Sequence, residues 1–94
     1  RLYVPDAFSP NDDGINDILQ PHLRTFWEIS DYSFTIFDRW GNQVFRTSNP
    51  AVGWNGEINS EQPMKGWYVW VVQYNLLREE REVPVVKSGE SILM

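Results

Sequence analysis

The residues best placed to do chemistry lie in Val4 to Asp17, VPDAFSPNDDGIND. This stretch holds Asp6, Asp12, Asp13 and Asp17, and it has no Lys or Arg to offset them. Clustered carboxylates and Asn side chains are hard oxygen donors, and calcium takes roughly six to eight of them. Aligned on its glycine to a calcium-binding loop, the stretch puts Gly14 at the sharp turn, Asn11 and Asp13 at ligating positions, the Ile15 carbonyl next, and Asp17 after it. The opening position falls on Ser9 and the closing one on Gln20, where a bidentate carboxylate belongs. A complete EF-hand is therefore excluded. A partial calcium site at Asn11, Asp13, Ile15 and Asp17 is one reading. The other is a series of Asx turns, whose side chains bond neighbouring backbone and bind nothing.

Catalytic constellations are poorly supported. The lone histidine, His22, follows Pro21 in a polar stretch, with no nucleophile elbow anywhere to pair with it. Glu57 and Glu61 lie in a polar loop, not in the apolar cleft that would raise the pKa of a glycosidase acid. No enzyme is expected. The tryptophans offer a further chemistry, because exposed rings on a β-sandwich can stack on sugars. Trp27 and Trp40 are the candidates for such a glycan site. Trp54, Trp67 and Trp70 sit in apolar or glycine-flanked contexts and are expected in the core.

These residues must be held by a small scaffold. Ninety-four residues make one domain, 1–94, with five Trp, four Tyr and five Phe to fill its core. Val and Ile outnumber Ala, which favours sheet over helix. The net charge of −5 argues against nucleic acid and anionic membranes, both of which select basic clusters. With no cysteine, disulfides and thiolate chemistry are excluded. No apolar run approaches the roughly 18 residues of a spanning helix, so the chain is not expected to span a membrane. It opens on Arg1 and reads as a piece of something longer.

In order, Leu2–Val4 and Ala7–Phe8 read as short strands stopped by Pro5 and Pro10. Asp17–Leu23 is another, interrupted by Pro21. Arg24–Ser30 is either a crossing between sheets or one helical turn. Asp31–Arg39 alternates cleanly, and Trp40-Gly41-Asn42 turns it into Gln43–Arg46 as a hairpin. Between Gly53 and Gly56 the chain turns sharply around a buried Trp54. Gly66–Leu77 is the longest strand, with Tyr68, Trp70, Val72, Tyr74 and Leu76 on its core face. Arg78–Glu82 is a charged tip. Val83–Lys87 pairs back, and Ser88-Gly89 is expected to break it before Glu90–Met94. Six to eight short strands without a strong helix point to a β-sandwich in preference to a small barrel.

VPDAFSPNDDGIND also resembles the opening motif of the gliding-motility-associated C-terminal domain, the type B sorting domain of the type IX secretion system. Three blocks follow in the family's order: TIFDRWGNQVF at 35–45, GWNG at 53–56 and KGWYVWVVQY at 65–74. The ending KSGESILM at 87–94 is similar to the family's close. The departures are Asp12 for a glycine, Trp67 for a small residue before the tyrosine, and no final basic residue.

The resemblance implies an all-β, immunoglobulin-like β-sandwich of about seven short antiparallel strands, placed at the C-terminus of a large secreted or cell-surface protein, often an adhesin. It implies a non-catalytic targeting role, export via periplasm and outer membrane, and recognition by the type IX machinery through an outer-membrane protein of the PorP/SprF kind. A folded signal is read as a surface. The candidate partner-binding residues are Asn11, Asp12, Asp13, Gly14 and Asp17 of the acidic loop, Arg39 and Trp40 of the hairpin turn, and Ile92, Leu93 and Met94 of the last strand, where an exposed edge could be extended by a partner's strand. A carbohydrate-binding or adhesive module is the alternative. A spacer domain would require further domains after Met94.

Overall fold

The computed structural model describes residues 2–10, 17–23, 28–58 and 64–94. Seven strands form in chain order: β1 (Leu2–Tyr3), β2 (Ala7–Phe8), β3 (His22–Leu23), β4 (Ile29–Phe37), β5 (Gln43–Thr47), β6 (Gly66–Arg78) and β7 (Arg81–Leu93). No helix occurs among the described residues. The main sheet has the order β2-β7-β6-β4-β5, and β1 and β3 pair as a separate two-stranded sheet. The chain is thus an all-β, immunoglobulin-like sandwich with one large layer and one small one.

Side-chain alternation builds the large layer. In β4 the buried residues are Tyr32, Phe34 and Ile36; in β6 they are Tyr68, Val72 and Tyr74. Ile36 lies opposite Trp70 and Phe34 opposite Val72, so both strands turn the same parity inward. Phe8, Leu19, Trp54 and Leu93 complete the core. Trp54 anchors it. Its ring meets Tyr68 edge-on with centroids 4.9 Å apart, and Phe8 at 5.7 Å. Its indole N–H donates to the Glu57 carbonyl at 2.9 Å. Its backbone exchanges two bonds with Leu19, of 2.8 and 2.9 Å. Gly53 permits that approach, since a Cβ there would collide with Ile18 and lie 2.9 Å from the Leu19 carbonyl oxygen. The buried tryptophan with a sharp turn around it is as the sequence suggested.

Three features depart from expectation. β7 does not break at Ser88-Gly89; it pairs with β6 without a register shift from Arg81 to Leu93. Gly89 faces Trp70, and a Cβ there would stand 2.6 Å from the ring's Cζ2. The glycine therefore marks a close approach, with the indole covering the strand where a side chain is missing. Second, β2 runs parallel to the end of β7, pairing Ala7 with Ile92 and Phe8 with Leu93. Third, β4 bulges between Ser30 and Ser33, with Asp31 at φ 54°. Next to it Tyr32 is buried with no partner for its hydroxyl among the described residues, and burial pushes its phenol up to about 12.

Candidate recognition surface

The expected metal ligands Asn11, Asp13 and Ile15 lie outside the described residues, as do Asp12 and Gly14. Asp17 is half-buried. Among the described residues no group of three or more metal-ligating side chains comes together. Trp27 also lies outside them. His22 is exposed on β3, with its ring stacked 6.0 Å from Tyr3.

The other two candidate stretches fall at one end of the main sheet. β4 runs antiparallel to β6, so the β4–β5 turn sits beside the beginning of β6, next to the end of β7. Asp38 organises that turn. Its Oδ1 accepts the backbone N–H groups of Trp40 and Asn42, both at 2.9 Å, and its Oδ2 accepts the Asn42 amide at 3.2 Å. Partial desolvation works to raise the Asp38 pKa; the bonds from Asn42, Trp40 and Gly41 outweigh it and hold the carboxyl below the usual aspartate range. Gly41 closes the turn at φ 86°, a conformation costly for any side chain. The result is a stiff loop presenting Arg39 and Trp40 outward. Trp40 is 68% exposed, and the Arg39 guanidinium lies 4.6 Å from its ring centroid.

The last strand behaves differently from an open edge. Ile92 donates its N–H to the Asp6 carbonyl and Met94 to that of Phe8, so β2 already occupies the edge where strand addition was expected. Leu93 is buried, 2% exposed, and is a core residue. Ser91, fully buried, donates its hydroxyl to the Pro5 carbonyl. Ile92 and Met94 keep surface, with Met94 57% exposed. Upstream, the outward backbone groups of β7 alternate through Glu90, Ser88 and Val86. They reach Pro84, which has no N–H to offer.

Sequence reasoning missed Trp67. It was expected in the core, yet it is 54% exposed on the sheet's outer face. The signal was present in its parity: Trp67 shares a face with Gln73 and Asn75, the face that turns polar along β6. Trp67 stands directly opposite Ile92, at a pair not bonded to each other, where cross-strand side chains come closest. It also lines, with Arg39, Trp40, Met64 and Lys65, a small cleft beside the turn. Trp67 thereby joins the Arg39–Trp40 turn to the surface of Ile92, two stretches the sequence offered separately.

The family model for the CHU_C type IX secretion signal domain matches residues 2–87. No curated protein and no solved structure compared with the chain matches it. The matched span takes in all three later motif blocks, the stiff β4–β5 turn, the Trp54 anchor and the whole of β6; the chain belongs to the CHU_C family of type IX secretion signal domains, which mark a protein for export through the outer membrane.

Proposed function

We propose that this domain is a non-catalytic, folded address that delivers the protein carrying it to the type IX machinery through direct protein–protein recognition, with a PorP/SprF-type outer-membrane protein as the receptor. The observation that carries this reading is the family match over residues 2–87. An exposed face at one end of the sheet supports it. Two tryptophans, an arginine and a lysine are exposed around one cleft at one end of the sheet. Trp and Arg are among the side chains that most often dominate protein interfaces, Trp by burying a large rigid ring and Arg by its fork of charged N–H donors. Cargo type, an adhesin included, belongs to the same proposal.

The experiment is a fusion of residues 1–94 to a periplasm-competent reporter, expressed in a host with a type IX system. Export of the reporter to the surface or medium is expected. Retention inside the cell overturns the reading.

A second reading, a carbohydrate-binding module, draws support from the same pair of exposed rings, Trp40 and Trp67. It predicts a glycan-array signal that Trp40→Ala and Trp67→Ala each remove.

A further inference from the structure

The cleft beside the β4–β5 turn has a chemistry that points to one kind of occupant. The inference rests on the targeting reading above and concerns what the receptor must present. The cleft encloses about 40 Å³. That is several-fold below small-molecule sites, which run from about 300 Å³. It admits the end of one side chain.

The walls say which end. Trp40, Trp67 and Met64 supply exposed apolar surface, and Arg39 and Lys65 supply two positive charges. Neither cation has an ion-pair partner among the described residues. Asp38 also lines the cleft, but both its oxygens are committed to the turn's own N–H groups. The Arg39 guanidinium lies over the Trp40 ring, 4.6 Å from its centroid, and its forked N–H donors suit a carboxylate. The domain as a whole carries −5, but exposed charges more than about 8 Å from a contact are largely screened at physiological salt, so the charges lining the cleft weigh most. At the cleft itself Arg39 and Lys65 outnumber the one Asp38 carboxylate, so the lining charges favour an anion.

We propose that this cleft receives a carboxylate side chain from an acidic segment of the receptor with apolar flanks, held by Arg39 and Lys65 and seated against Trp40 and Trp67.

The test titrates residues 1–94 with a capped hexapeptide of alternating Asp and Leu, then with its Asn-for-Asp counterpart, then with cellohexaose, following the indole N–H resonances of Trp40 and Trp67. The Asp peptide is expected to shift both signals saturably. Arg39→Glu with Lys65→Glu is expected to weaken it about tenfold or more, the loss of a hot-spot contact. The milder pair Arg39→Gln with Lys65→Gln should fall between. Both pairs change exposed side chains only, and an unchanged thermal midpoint confirms the fold. No shift with the Asp peptide, an equal shift with the Asn peptide, or a shift with cellohexaose alone overturns the proposal, the last in favour of a sugar site. The reporter fusion separates the two claims. If the wild-type fusion is exported and the charge-reversed one equally so, the cleft proposal fails and the targeting reading stands. If the wild-type fusion is retained, the targeting reading fails and the titration alone judges the cleft.

Discussion

The two ends of the main sheet are finished in opposite ways. At one end the β4–β5 turn is held by three bonds to the Asp38 carboxylate, with glycine at its one positive φ. At the other, β6 turns into β7 through Glu79 and Glu80, both with positive φ, 50° and 64°. That is the backbone of a two-residue hairpin turn which ordinarily takes Asn-Gly. Neither glutamate makes a side-chain hydrogen bond among the described residues, and Arg78 and Arg81 face each other across the closing pair. The contrast teaches where rigidity is needed. The turn beside Trp67 and the cleft is built for one geometry, as a surface that is read should be. The far turn only reconnects two strands, and the thirteen residue pairs of the β6–β7 ladder hold it despite unfavourable local chemistry.

This contrast can be broken or sharpened by substitution. The largest effect is expected at Gly41. A Cβ there meets nothing within 4 Å, so Gly41→Val isolates the cost of positive φ for a branched side chain, about 1–3 kcal/mol in chemical denaturation. Next, the paired change Glu79→Asn and Glu80→Gly should stabilise by about 1 kcal/mol, raising the thermal midpoint by roughly 4–8 °C. A fall in stability would mean the far turn is better adapted than its torsions imply.

A smaller effect comes from pH. The Asp38 carboxyl lies below its ordinary range in the folded state. Its contribution is therefore present above the unfolded aspartate pKa and is lost as pH falls through the folded one. Amide exchange at Trp40 and Asn42 should accelerate as the solution is acidified through that window, relative to exchange at Glu79 and Glu80, and Asp38→Asn should flatten the difference. The smallest stability effect is expected from Trp40→Ala. The ring is mostly exposed, and the change should stay within about 0.5 kcal/mol.

Much of this layout was legible because it is local. The alternation of Tyr32, Phe34 and Ile36 in β4, and of Tyr68, Val72 and Tyr74 in β6, fixes the core face from the sequence alone. GWNG declared its buried tryptophan for a similar reason: two glycines bracket a ring too large to turn with the chain. What failed depended on partners distant in sequence. Gly89 reads as a strand breaker until Trp70, nineteen positions earlier by number, is seen lying over it. The parallel pairing of Ala7–Phe8 with Ile92–Leu93 spans nearly the whole chain through two residues, too short a signal for periodicity. Trp67 was misplaced because size was weighed above parity, although Gln73 and Asn75 on its own face argued for solvent. The acidic loop at 11–16 lies outside the described residues, and the tryptophan-lined end assembled from β4, β6 and β7 joins it as a second candidate.

The central claim is that the domain acts as a folded address read at that end. It is tested most directly by comparing export of three reporter fusions to residues 1–94: wild type, Trp40→Ala with Trp67→Ala, and Glu79→Asn with Glu80→Gly. The account predicts export of the wild type and of the far-turn variant, and retention of the folded tryptophan variant. Equal export of all three would contradict it.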